Sequence, residues 1–287
     1  MGNRGIISCE LLFIVTPLIT KLPAGARVLD LGAAAGSFSC PRQDVTLVRL
    51  DLEPPPARGS GFYVAADAAR LPFADGVFDL IVSNHSLEHF PDLEVSVREI
   101  GRVLKPGGGL YIAVPDAGTL TDRIYRWLGR GGGHVNPFRS PGEVIALVDG
   151  LAGVRNRATQ DLGSGLSFLN AHNFKNRPPR KIALFAFGNE WFLAAFVWLL
   201  RRFDRAFHTR LCHYGWAFYF GSATPPQSLA YEPNVCVRCG SGHAEEYLRL
   251  HATAWRSRFG IESYRCPTCG GFNLFSAAPS PRRTASD

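Results

Sequence analysis

The sequence predicts an α/β fold: an open, mostly parallel sheet with helices on both faces, a hydrophobic helical insertion and a small cysteine-bearing module at the carboxyl end. Three observations predict it. Short apolar runs that read as strands recur between residues 27 and 115, and the first is followed at once by a glycine-rich turn. Asp51 and Asp67 stand just past the second and third runs, and an amphipathic segment separates the fourth from the fifth. Two Cys-x-x-Cys pairs follow near the end of the chain.

Arg27 to Leu31 reads as a buried strand, and Gly32-Ala-Ala-Ala-Gly36 as a tight turn that opens a helix. Glycines let backbone approach a ligand closely, and amides at the start of a helix offer free donors. Asp30, at the strand's carboxyl end, can accept hydrogen bonds from an ammonium group. Val45 to Leu50 is the second strand, delivering Asp51 where folds that bind a nucleoside hold ribose hydroxyls, with Glu53 in reserve. Pro54-Pro-Pro56 forbids a long crossover helix there. Gly61 to Ala65 is the third strand. Asp67 after it can accept an adenine amine or cap a helix, and the two roles are compatible. Val77 to Val82 reads as the central fourth strand, with Asn84, His85, Glu88 and His89 past its carboxyl end, where ligands bind in open parallel sheets. Asp92 to Leu104 carries apolar residues at helical spacing, Lys105-Pro-Gly-Gly-Gly109 stops it, and Leu110 to Val114 is the fifth strand.

A chain of 287 residues that is 46% hydrophobic suffices for one α/β domain plus an appendage and excludes disorder over most of its length. The net charge of +7 favours anionic partners such as nucleic acid, a phospholipid surface or a phosphorylated substrate, or marks a merely basic protein. Paired cysteines speak for metal in a reducing compartment, hence a cytoplasmic protein, more than for a disulfide framework. Ile6 to Ile19 superficially resembles a signal peptide, but Glu10 and Pro17 interrupt it, and Ser8 to Lys21 reads as a helix packed on the domain.

Residues 27 to about 115 resemble the class I S-adenosylmethionine-dependent methyltransferases of the small-molecule type. The resemblance rests on Asp30-Leu-Gly32 with Gly36, on Asp51 and Asp67, on Leu71-Pro-Phe73 with Phe78-Asp79, on Leu87-Glu-His89 and on Leu104-Lys-Pro-Gly-Gly108. It implies a Rossmann-like sheet in which Asp30, Gly32 and Gly36 line the methionine part of S-adenosylmethionine. It also implies that Asp51 takes the ribose hydroxyls, that Asp67 and Ala68 face the adenine, and that Asn84 and His85 lie under the methionine moiety. The chain departs from the family at Ala34, where a second glycine is usual, so a methyl group must fit beside the cofactor. Methyl transfer from a sulfonium needs alignment and exclusion of water, and a hydroxyl acceptor also benefits from a base. His85, His89 and His134 are the candidates, each with a structural hydrogen bond as its alternative role. His134 lies in Gly131-Gly-Gly-His-Val-Asn-Pro137, where the family often has a lid.

Ser140 to Val148 reads as a capped helix and Gly153 to Thr159 as the sixth strand. Trp216 to Phe220 is the best candidate for the seventh, which leaves about fifty residues inserted between them. Within the insertion, Ile182 to Leu200 carries one charge between Arg180-Lys181 and Arg201-Arg202. As a helix it would extend ~28 Å. Gly188 and Asn189-Glu190 argue against a simple span, so a helix lying in a membrane interface, or one covering protein, is expected, with peripheral contact through 180–211. Such an element beside the cofactor mouth suggests a small or lipid-linked acceptor at the inner membrane face. Cys236, Cys239, Cys266 and Cys269 have the spacing of a zinc ribbon with a closed structural site, for which His243 or His251 are substitute ligands. The expected organisation is therefore a methyltransferase core over 1–165, the insertion over 166–212, a last core strand and linker over 213–230, the zinc-ribbon-like module over 231–275 and a disordered tail over 276–287. An RNA methyltransferase gripping its substrate through the ribbon is disfavoured, because the arginines of 177–210 are interleaved with bulky apolar residues. A non-catalytic binding protein of the same fold is the third reading, for which Ala34 is the hint.

Overall fold

The computed structural model describes residues 9–34, 36–38, 40–53, 61–120, 122–123, 134–162, 190–225, 234–237, 242–243, 245–258, 260–267 and 269–275. The triple proline, the glycines before His134, the run 182–189, Cys239 and the tail lie outside them. The chain divides into two compact units, the first made of 1–118, 130–161 and 215–227 and the second of 119–129, 162–214 and 228–287.

The first unit is built on a seven-stranded sheet of order β3-β2-β1-β4-β5-β7-β6. Its strands are β1 (Arg27–Leu31), β2 (Thr46–Asp51), β3 (Phe62–Ala65), β4 (Phe78–Asn84), β5 (Leu104–Pro115), β6 (Asn156–Leu162) and β7 (Gly215–Gly221). β1 pairs in parallel with β2 and β4, and β4 with β5, whereas β7 runs antiparallel to β5. Being central, β1 buries Val28, Leu29 and Leu31 completely, which is why it reads as an unbroken apolar run rather than an alternating one. β5 begins earlier than expected, at Leu104. A register shift against Phe78 and Leu80 takes up the Lys105–Gly108 stretch, so this segment belongs to the start of the interior strand β5 instead of forming a free loop.

Helices α1 (Cys9–Thr20), α2 (Leu93–Val103) and α3 (Pro141–Leu151) belong to this unit. Val97, Ile100 and Val103 form the buried stripe of α2. At the start of α3, Ser140 Oγ accepts from the Glu143 amide while Glu143 Oε2 accepts from the Arg139 amide, a reciprocal cap. The two helices come close at Gly101, where a Cβ would stand 2.6 Å from Ala152 Cα.

Two polar clamps account for residues shared with the methyltransferase pattern. Arg102 of α2 donates to the carbonyls of Leu71 and Phe73 and to Asp75, and its neighbour Glu99 accepts from the Leu71 amide, so the Leu71–Asp75 loop is pinned to the helix. Asp79 accepts from the Arg27 amide at 2.8 Å and from Lys105 Nζ at 2.8 Å, joining the start of β1 to the entry of β5.

The second unit contains α4 (Glu190–Phe207), a hairpin of β8 (Asn234–Val235) and β9 (Gly242–His243), α5 (Glu245–His251), and an antiparallel sheet of β10 (Ala254–Arg256), β11 (Glu262–Arg265) and β12 (Phe272–Leu274). Within the described residues α4 takes in the second part of the apolar run and continues through Arg201 and Arg202. Its Leu193 and Ala194 are buried with Cys212 and Val237, Phe272 and Leu274 pack on that cluster, and Trp191 stacks on Phe272 at 4.0 Å. One face of this helix therefore covers the chain's own cysteine-bearing module. No helix among the described residues is long and apolar enough to cross a membrane.

Candidate functional site

The turn after β1 is held from below by an ion pair that sequence reading missed. Asp30, wholly buried, accepts from Arg49 Nη1 at 2.5 Å and from the Ser37 amide at 3.0 Å, and Arg49 also donates to the Phe38 carbonyl. Burial raises the Asp30 carboxyl above its ordinary value, while Arg49 and the Ser37 amide hold it back. Asp30 thus shapes the cradle from beneath its surface. The helix expected after this turn does not form: among the described residues, 32–45 are turns and bends. The connection is short and carries Pro41, and Arg49 occupies the space under it.

Gly32 (φ +70°) and Gly36 (φ +113°) need to be glycine for a tertiary reason as well as a backbone one. A Cβ on Gly32 would stand 2.4 Å from Ser86 Cβ, and one on Gly36 would stand 2.7 Å from Arg49 Nη1. Ala34 adopts the left-handed conformation too (φ 44°), although it has a side chain. Its exposed position accommodates the methyl group, and its amide donates to Asp51 Oδ2 at 2.8 Å. Asp51 Oδ1 accepts from the Glu53 amide at 3.2 Å. Asp67 is exposed at the end of β3, where its Oδ1 accepts from the Ala69 amide at 2.9 Å; it caps a turn, not a helix, and the adjoining Ala68 is buried.

Past β4 the backbone turns sharply. Asn84 ends the strand, and His85 takes a left-handed conformation (φ 51°) with its amide donating to the Ala113 carbonyl at 2.9 Å. Ser86 Oγ donates to the Leu31 carbonyl at 2.9 Å and meets Ser83 Oγ at 2.6 Å, so the ends of β1 and β4 are tied together directly against Gly32. Leu87–His89 forms a short 3₁₀ turn.

This turn gathers the candidate histidines. The amides of Val135 and Asn136 donate to the Glu88 carbonyl at 2.8 and 3.0 Å, and Asn136 Nδ2 donates to the carbonyls of Leu87 and Phe90 at 2.9 and 2.7 Å. Those bonds set His134 beside His89, with ring centroids 4.8 Å apart at 72°. His85 Nδ1 lies 3.9 Å from Glu88 Oε1. Burial first, and then the neighbouring His134 and His89, push the His85 imidazole down to about 3, so it is neutral at physiological pH. Asn136 was not singled out from the sequence. Its only signal is its place directly after His134-Val135.

In the second unit the sulfurs of Cys236, Cys266 and Cys269 lie within 4.8 Å of one another, with Cys236 to Cys269 at 3.6 Å. Asn273 Nδ2 and the Gly271 amide donate to Cys236 and Cys269 sulfurs at 3.4 Å each. His243 Nε2 is 3.5 Å from the Cys266 sulfur, whereas His251 is exposed and packs on Tyr247.

Residues 29–112 match the family model described as a methyltransferase domain. An uncharacterized methyltransferase of Mycobacterium sp. (strain JLS) is 32% identical over 169 residues, covering 53% of this chain and 60% of that protein. The malonyl-[acyl-carrier protein] O-methyltransferase of Methylococcus capsulatus is 37% identical over 131 residues, covering 40% of this chain and 47% of that one. The chain therefore spans about half to three fifths of the length of these curated relatives. Among solved structures, phosphoethanolamine N-methyltransferase 2 of Haemonchus contortus, in complex with phosphomonomethylethanolamine and S-adenosylhomocysteine, superposes with a TM-score of 0.51. It is 16% identical and covers 79% of this chain and 55% of that chain, which is a likeness of fold.

Proposed function

With a methyltransferase domain sequence over residues 29–112 on a sheet of this order, we propose that the chain is an S-adenosylmethionine-dependent methyltransferase acting on a small or lipid-linked acceptor. One observation carries the reading: the Gly32–Gly36 turn, Asp51, Asp67 and the Asn84–His85 bend occupy the carboxyl ends of four adjacent parallel strands, β1, β2, β3 and β4. The donor set fits the cofactor. Asp51, half-buried at the strand end, takes the ribose hydroxyls, exposed Asp67 with Ala68 takes the adenine, and the turn holds the methionine part. The chemistry supplied by the cofactor is an activated sulfonium methyl. The protein's share is to align the acceptor and exclude water; neutral His85 can accept a hydrogen bond from an acceptor hydroxyl, although its value of about 3 makes it a weak base.

A lipid-linked acceptor is supported by α4, whose Phe192, Leu199, Phe203 and Phe207 remain exposed although another side is covered. The cysteine cluster supports a structural zinc held by Cys236, Cys266 and Cys269 with Cys239. Tetrahedral bonds of about 2.3 Å place sulfurs about 3.8 Å apart, close to the 3.6 Å seen. The N–H···S bonds are those that steady thiolate ligands.

Calorimetry with S-adenosylmethionine tests the cofactor site; absence of binding rejects the enzyme assignment. Transfer of tritiated methyl groups to fractionated cell extract tests the acceptor: label in the lipid or small-metabolite fraction is expected, and label confined to RNA would reject it.

A further inference from the structure

We propose that Glu88, His89 and His134 form a second metal site, for a divalent transition cation, at the carboxyl end of β4. One ligand atom from each lies within 4.8 Å of the other two, so small side-chain rotations would bring all three within bonding reach of a single ion. The donors are two imidazoles and a carboxylate, a set that suits manganese, iron or zinc and differs from the all-thiolate set of the cysteine cluster. Glu88 is buried while His89 is exposed and His134 half-buried, so the cluster has one anchored side and one side open to solvent. The loop is fixed by its own hydrogen bonds: four donors of Val135 and Asn136 engage the carbonyls of Leu87, Glu88 and Phe90, which holds His134 over the turn irrespective of what binds there. His85, three residues before Glu88, has its Nδ1 3.9 Å from the same carboxylate and closes the inner side.

Three protein ligands leave coordination positions open, as in metal sites that bind substrate and unlike closed structural ones. An acceptor with two adjacent oxygens, such as a vicinal diol or a hydroxy acid, would chelate an ion held there. Its bound hydroxyl would give up its proton more readily, to water on the solvent-open side of the cluster, and the resulting oxygen would attack the methyl carbon as the carbon–sulfur bond breaks, with the bonding pair leaving on sulfur. This last step rests on the methyltransferase reading; the metal site does not.

Manganese tests the site without interference from the cysteines, because thiolates select softer ions. The full-length chain, first given one equivalent of zinc, which the softer thiolate cluster takes in preference to imidazole and carboxylate, would be titrated with Mn²⁺ and followed by electron paramagnetic resonance. Saturable binding at one site is expected. It should weaken by about tenfold or more in His89→Ala, His134→Ala and Glu88→Gln, and stay unchanged in His251→Ala. His89 and His134 are surface-accessible, so those variants should retain the wild-type circular dichroism spectrum. Failure of the wild-type chain to bind Mn²⁺, or undiminished binding in the His89→Ala/His134→Ala double variant, overturns the proposal. Calorimetry with S-adenosylmethionine on the same preparations separates the two ideas: cofactor binding without manganese rejects only the metal site, and manganese without cofactor rejects only methyl transfer.

Discussion

Replacing Arg49 by methionine keeps most of the apolar stem and removes only the guanidinium. The residue is 2% exposed and its partner Asp30 0%, with 2.5 Å between charged atoms. The same group donates to the Phe38 carbonyl and lies 5.6 Å from the Phe38 ring and 5.9 Å from the Tyr63 ring. Without it, a buried carboxylate is left with the Ser37 bond but no countercharge. Breaking one side of such a pair costs about 3–5 kcal/mol. The cost is the penalty of the stranded charge, so Asp30→Asn in the Arg49→Met background should restore about 1–3 kcal/mol. Urea unfolding at neutral pH, followed through hydrogen exchange of the β1 and β2 amides, isolates the first unit. If Arg49→Met unfolds within about 1 kcal/mol of the parent, or the double variant is no more stable than the single one, Arg49 is not what keeps Asp30 in the core.

Ala34→Gly should raise the melting temperature slightly: glycine holds the left-handed conformation without the Cβ clash, which relieves about 1–2 kcal/mol, against about 0.5–1 kcal/mol of added chain entropy in the unfolded state. A drop in melting temperature would contradict the positive φ. Glu99, hydrogen-bonded to Arg102 at 2.7 and 2.8 Å, is held below its ordinary value of 4.5. A depressed folded value means the stabilisation is present above the unfolded value and disappears as pH falls through the folded one. The urea midpoint should therefore decline more steeply on the acid side in the parent than in Glu99→Gln, and identical acid limbs would refute the coupling. Chelation, or Cys266→Ser, should lower the melting of the second unit while leaving the β1–β5 amides protected; unchanged melting would argue against a bound metal.

The central parallel strands β1, β4 and β5 are legible because each is an apolar run that the sheet buries on both sides, and because turn residues punctuate them. Gly215–Gly221 could be assigned to the sheet across an interruption of some fifty residues for the same reason: Trp216, Phe218 and Phe220 need the core that β5 supplies. Other features depend on side chains distant in sequence. Arg49, a residue of the next strand, fills the space beneath Gly36, a contact that no local pattern in 32–45 announces. Which face of α4 is buried is decided by the packing of Leu193 and Ala194 against Cys212, Val237 and β12, since a uniformly apolar run specifies no helix face.

The same distinction governs the histidines. Glu88 and His89 fall on one short turn with His85 just before it, and any reading of the sequence can group them. His134 joins them because Asn136 spends its amide on two carbonyls of that turn, a bond no spacing rule anticipates. Removing the amide is therefore the sharper test of the arrangement. Asn136→Ala leaves every imidazole and carboxylate in the chain, yet frees the loop from Leu87 and Phe90. If the cluster acts as a unit, this variant should weaken manganese binding nearly as much as His134→Ala while S-adenosylmethionine affinity holds. If instead His134 contributes only by packing on His89, Asn136→Ala should bind manganese like the parent.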